Sequence, residues 1–310
     1  MLENNIPGYL VMMAVSALLC GAVAALSARK EASFPAGRAV GFGAAFVALG
    51  AVLGLLGAKT LYCLFMLNHL YHMGLGAFWT GLKVEELSYY GGVAGVCLAM
   101  WLTGKAFGLK ARRAMNLLVP AAALMAALAR FAEYFLGLLG TGMYLEESFF
   151  PVAVAVSWGD WTEYYLAVFM LEGLLSLVAF VLSLVHRGER CRFLRTLFYL
   201  CLPQVFCESL RDSGIKWLFV KPEQLACFLA CVGILFWYCL TCGEKGWKRF
   251  WPALACVPAA GLIVALEFAL DGKIPGIPVP AAYAVMIAVL AGLAVIEHIA
   301  VKRCGGTVRE

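Results

Sequence analysis

The sequence predicts an all-α polytopic integral membrane protein. Three observations carry that expectation: a very apolar composition, apolar runs of membrane-crossing length, and a lopsided placement of lysine and arginine. Apolar residues make up 63% of the 310-residue chain, charged residues only 14%, and mean hydropathy is +0.87. A soluble domain carries about 25% charged residues, so this chain lacks the side chains to cover a water-facing surface. The expected surroundings are a lipid bilayer, with no nucleic acid among the partners.

A helix needs about 20 apolar residues to cross roughly 30 Å of hydrocarbon. Nine runs read as spans: 8–27, 39–66, 90–109, 114–138, 163–185, 193–211, 223–242, 250–270 and 279–301. The first has neither a basic leader nor a small-residue cleavage site, so it is expected to be retained. The second carries Gly50, Gly54 and Gly57, a small-residue face for close helix contact. The third opens on Tyr90-Gly91-Gly92. Tandem glycines weaken a helix start but allow backbone amides to approach a phosphate at a helix N-terminus. The sixth is the least apolar, and Pro203 is expected to kink it. Between the fourth and fifth, residues 140–162 are acidic and aromatic; their apolar part, with Pro151, is expected to lie along the interface as a lid or arm.

Orientation follows from the basic residues. Seventeen lysines and arginines fall in one set of loops, against Lys83, Lys216, Lys221 and Lys273 in the other. That places the N-terminus outside and the C-terminus in the cytoplasm, and an odd number of spans agrees. Most of the twelve cysteines lie inside apolar runs, where they act as small packing residues. Cys239-x-x-Cys242 has no partner pair, and His69 and His72 have no evident third ligand, so no metal or cofactor is expected.

Three cations remain inside spans: Lys59, Arg130 and Arg211. Charge within a membrane is costly and points to function by default. With the orientation above, all three fall in outer halves of their spans. Glu172 sits about nine residues into the fifth span, roughly 13 Å deep at 1.5 Å per residue, and Tyr90 opens the third. Five spans thus bring polar groups to one outer-leaflet layer. Arg130 and Glu133, and likewise Glu208 and Arg211, are spaced to share a helix face. Each pair either neutralises itself so that its helix can insert, or lends its arginine to an anionic headgroup, because a guanidinium fork matches phosphate oxygens. Glu267 and Glu297 suit helix pairing, and His186 and His298 sit at helix ends near the interface.

Several stretches, in order, resemble the prolipoprotein diacylglyceryl transferase family. ALGAVLGLLGAKTLY (48–62) is similar to its glycine-rich second span, and LSYYGGVAG (87–95) to its L-S-F-H-G-G-L-x-G. NLLVPAAALMAALARFAEYFLG (116–137) resembles its proline and G-R-x-G-N-F segment. MLEGLLSLVAFVL (170–182) resembles its L-Y-E-x-L-L helix, VFCESLRD (205–212) its E-x-x-R, and EQLACFLACVGILF (223–236) its last span.

The resemblance implies a seven-span core over residues 1–242, in a bacterial cytoplasmic membrane, with two additional helices and a short cytoplasmic tail over 243–310. It implies transfer of a diacylglyceryl group from phosphatidylglycerol, or a related phospholipid, to a lipobox cysteine of a preprolipoprotein, without a cofactor. Catalytic candidates are then Arg130, Glu133, Tyr90, Glu172 and Glu208. Substrate-binding candidates are Arg211, Lys59, Gly91, Gly92 and Gln204. Tyr90 stands where the family has histidine, Lys59 and Gln204 where it has arginine, and Glu133 where it has asparagine. An ordinary tyrosine titrates near 10, so the near-neutral base of the family is replaced. These departures keep open a catalytically altered homologue that binds lipid or lipoprotein or assists a partner. A small-solute transporter is disfavoured because the chain shows no convincing internal repeat.

Overall fold

The computed structural model describes residues 5–66, 86–149, 152–158, 160–211, 221–241 and 247–303. The chain divides into two compact units, residues 2–140 and residues 141–310.

In the N-terminal unit the helices are α1 (Ile6–Glu31), α2 (Ala36–Phe65), α3 (Tyr89–Ala106) and α4 (Ala111–Ala132). Asn5 caps α1 by accepting from the Gly8 amide at 2.9 Å, and Pro7 occupies the first turn, where its missing donor costs nothing. The Ser88 side chain caps α3. A 3₁₀ stretch, Glu133–Gly140, continues α4 and bends at Gly137, whose φ of 63° favours glycine. α2 and α3 run antiparallel in close contact. A Cβ added at Gly91 would lie 2.2 Å from the Gly57 carbonyl oxygen, and one at Gly95 would lie 2.0 Å from that of Leu53. Without a hydrophobic drive between helices in lipid, such backbone approach is what holds them. The close face runs through Gly57, with Gly54 beside it. Gly50 meets nothing within 4 Å, so the small-residue face is shorter than its sequence spacing suggests.

In the C-terminal unit the helices are α5 (Val168–Val185), α6 (Arg192–Leu210), α7 (Pro222–Thr241), α8 (Cys256–Leu270) and α9 (Val279–Arg303). Helical turns at Trp247–Phe250 and Trp251–Leu254 lead into α8. The unit also carries a small antiparallel sheet in the order β1-β3-β2, with β1 Tyr144–Leu145, β2 Ala153–Trp158 and β3 Trp161–Leu166. The fifth span therefore begins at Val168, because residues 163–166 belong to β3. The expected interfacial arm is largely this sheet: Val154, Val156 and Trp158 alternate before Gly159-Asp160, a two-residue hairpin signal, and β3 after it is rich in aromatic residues. Phe150 and Pro151 lie outside the described residues. The sheet is tied to the end of α6, since the Met143 amide donates to the Leu210 carbonyl at 3.0 Å. Beneath it Val168, Cys207 and Leu210 form a core with Leu171, Leu175 and Phe206.

A helix stands at each of the nine expected positions, and seven of them are long and apolar enough to cross a membrane. The other two are α3, rich in glycine, and α6, which carries polar and charged side chains. No disulfide forms among the described residues. Cys239 is buried, while His69, His72 and Cys242 lie outside the described residues.

Candidate functional site

The site residues of the N-terminal unit gather where α2 and α4 end and α3 begins. Lys59, 6% exposed, is ion-paired with Glu86. The segment before α3 is stapled to α2 beside that lysine, because the Ser88 amide donates to the Ala58 carbonyl at 3.1 Å. Arg130, 2% exposed, donates from Nη1 to Glu133 Oε1 at 2.5 Å. Its guanidinium also lies 3.7 Å from the centroid of the Tyr89 ring, a cation–π contact. Tyr90 stacks edge-on to Tyr89, with centroids 5.5 Å apart. Arg130 is therefore held by a carboxylate and by the aromatic face of Tyr89.

Gly91 and Gly92 divide in role. Gly91 is the point of backbone contact with α2, while a Cβ at Gly92 would meet its nearest atom at an ordinary 3.8 Å. The Gly91 amide faces Ser88 Oγ at 3.5 Å, and the Gly92 amide donates to the Ser88 carbonyl at 3.1 Å. The glycine pair thus has a packing reason of its own, and Ser88 already engages both amides.

In the C-terminal unit the candidates converge from three directions. Glu172 of α5, 2% exposed, receives Arg211 in a fork: Nη2 to Oε2 at 2.5 Å and Nε to Oε1 at 3.2 Å. Gln204 of α6 donates to Glu172 Oε1 at 2.5 Å and to Glu208 Oε1 at 3.2 Å, so one amide bridges two buried carboxylates. The expected Glu208–Arg211 pair is only marginal at 4.0 Å. Arg211 is the residue that closes α6, with extended backbone, so the spacing rule for a helix face does not govern it and it turns to α5 instead. Lys221, read from sequence as an outer-loop cation, is buried. Its Nζ donates to the carbonyl oxygens of Glu208, at 2.5 Å, and of Arg211. A cation at the C-terminal end of a helix satisfies orphan carbonyls and the helix dipole together. Glu86, Tyr89 and Lys221 carry no site role in the sequence reading. Only Lys221 had a sequence signal, as a cation beside Pro222 at the start of an apolar helix.

Elsewhere in this unit, Glu267 of α8 accepts from Ser209 and Gln224. Glu297 of α9 accepts from Tyr199 at 3.1 Å and Tyr238 at 3.5 Å. Arg192 and Arg195, expected in a cytoplasmic loop, are buried in the first turn of α6. Arg195 binds Glu189 and lies 2.9 Å from His298 Nδ1. Among the described residues no group of three or more His, Cys, Asp or Glu is placed to hold a metal ion.

A family model described as prolipoprotein diacylglyceryl transferase matches residues 2–240. No individual curated protein matches the chain. The matched segment stops at the end of α7, so α8 and α9 lie beyond it.

Proposed function

The chain belongs to the prolipoprotein diacylglyceryl transferase family, and on that premise we propose that it moves a diacylglyceryl group from phosphatidylglycerol, or a related phospholipid, onto a lipobox cysteine thiol. The observation that carries this reading is the state of two guanidinium groups. Arg130 and Arg211 are each kept within the apolar part of the chain by a carboxylate at 2.5 Å. A fork that accepts a carboxylate accepts phosphate oxygens in the same plane.

In this reading the thiolate sulfur attacks the diacylglyceryl carbon that bears the phosphate ester. A C–S bond forms, the C–O bond breaks, and glycerol phosphate leaves with the bonding pair. Each unit offers its own cation for that departing charge: Arg130, with Lys59 assisting, in the N-terminal unit and Arg211 in the C-terminal unit. Phosphate binding at Arg130 releases Glu133, which takes the thiol proton; Tyr90 is the second candidate for that step. Glu172 and Glu208, bridged by Gln204, orient Arg211. The reaction is placed at the outer leaflet of a bacterial cytoplasmic membrane. The N-terminus is outside and the C-terminus inside, as the skew of basic residues supports. Residues 1–242 form the transferase-like core and 243–310 an addition to it.

Purified full-length protein with labelled phosphatidylglycerol and a lipobox peptide tests the reading. The expected products are a thioether-linked peptide and free glycerol phosphate; if neither forms, transfer is ruled out. One observation favours a second reading, a catalytically altered homologue that binds phospholipid or lipoprotein, or assists a partner: Tyr90 replaces the family's histidine. That reading expects binding of the same lipid with no thioether.

A further inference from the structure

α8 lies beyond the family-matched segment, yet its Glu267 is hydrogen-bonded to the immediate neighbour of Glu208. Ser209 Oγ donates to Glu267 Oε1, and Gln224 Nε2 of α7 donates to the same oxygen at 2.8 Å. Gln224 Nε2 also lies 3.1 Å from Ser209 Oγ and 3.1 Å from the Val205 carbonyl. From α9, Met286 Sδ lies 3.4 Å from the Ser209 hydroxyl. Three helices thus grip one face of the last turns of α6.

Val205 and Ser209 are four apart and share that face. Gln204 and Glu208, one residue earlier in each case, share a face rotated by about 100°. The first pair is held by α7 and α8; the second reaches Glu172 and Arg211. Any rotation of the turn moves both faces together. Pro203 sits just before these residues inside α6. It has no amide hydrogen to donate and its ring crowds the preceding turn, so the helix ladder is weakest where the site-bearing turns begin. The orientation of residues 204–210 is therefore set largely from outside the helix.

We propose that Glu267 is a positioning residue for the Glu172–Gln204–Glu208–Arg211 cluster, and that the α8–α9 extension braces it. The activity arm of the test rests on the transferase reading above; the exchange arm does not. Full-length Glu267→Ala is compared with Glu267→Gln, Ser209→Ala and Glu297→Ala. The last removes a buried carboxylate of the same extension that bonds Tyr199 and Tyr238 instead of Ser209.

Glu267→Ala is expected to lower kcat for transfer to a lipobox peptide by about 10–100-fold, the cost of a misplacement near 1 Å, with KM for the peptide unchanged. Glu267→Gln keeps an acceptor oxygen and is expected to recover most of the rate. Backbone amide exchange over Val205–Leu210 is expected to quicken in Glu267→Ala and not in Glu297→Ala. Ser209→Ala repeats the loss from the α6 side and carries the same test where Glu267→Ala yields no folded protein. Wild-type kcat with unchanged exchange in Glu267→Ala overturns the proposal, and so does an equal effect of Glu297→Ala on both readouts. An inactive wild-type protein overturns the transferase reading alone, and the exchange comparison then decides the role of Glu267.

Discussion

At the scale of single residues, Arg130 shows how a charge is made tolerable and usable inside a membrane. Its carboxylate partner is three residues along the same chain segment, and its π partner opens the neighbouring helix. Arg130→Lys keeps the charge but loses the planar fork and the stacking on Tyr89. It is expected to stay folded while transfer falls by about 100-fold, in line with removing one preorganised donor from a developing anion; a labelled-lipid transfer assay reads it. The two candidates for proton handling separate in the same assay. Glu133 contacts the guanidinium directly, so phosphate binding there frees its carboxylate, whereas Tyr90 packs its ring edge-on to Tyr89. Tyr90→Phe is therefore expected to leave most of the rate and Glu133→Gln to lose about 100-fold. The reverse order would assign the proton to the phenol.

Helices and strands obey packing rules that sequence reports unevenly. Gly91 and Gly92 look equivalent in the chain but meet different surroundings, so Gly91→Ala is expected to destabilise by about 1–3 kcal/mol through overpacking against Gly57. Gly92→Ala is expected to fall within roughly 0.5 kcal/mol of wild type. Thermal unfolding of the two variants in detergent gives the comparison. Among the described residues a helix stands at each of the nine apolar runs, because a long apolar run has few alternative fates. The sheet was not legible: Val154, Val156 and Trp158 alternate over only one strand, and the apolar content of the stretch equally suits a segment lying on the membrane. The hairpin signal was present in the period of two. At the site, Arg130 and Glu133 were legible as a pair because both stay in one continuous helical segment. The partner of Arg211 was not, because leaving the helix at Leu210 frees the arginine to cross to Glu172 on α5. Lys59 and Glu86 are 27 residues apart, a separation at which no local spacing rule applies.

For the molecule as a whole, the decisive quantity is how many helices cross the bilayer. Among the described residues seven helices are long and apolar enough to do so; the question rests on α3 and α6. Their 18 and 19 residues span about 27 and 28 Å at 1.5 Å per residue, close to a hydrocarbon core of roughly 30 Å. Both are less apolar because their neighbours cover them. α3 presents Gly91, Gly95 and Gly104 to α2 and α4, and α6 turns Gln204, Glu208, Arg192 and Arg195 inward among other helices. A helix shielded from lipid needs less apolar surface than one facing it. Nine crossings and seven crossings both put the C-terminus on the side opposite the N-terminus, so a C-terminal reporter cannot distinguish them. The turns at Gly108 and Gly188 can. If α3 and α6 cross, both turns are cytoplasmic, beside Lys105, Lys110, Arg187 and Arg190, in keeping with the charge rule. If neither crosses, both turns lie outside. Alkaline phosphatase fused after Gly108 or Gly188 is therefore expected to be inactive and green fluorescent protein at the same points to fluoresce, while phosphatase fused at Gly272, between α8 and α9, is expected to be active. Active phosphatase at Gly108 and Gly188, with a cytoplasmic C-terminus, would reduce the crossings to seven and move the β1–β3 sheet, which follows α4, to the cytoplasmic side, away from any substrate presented at the outer leaflet.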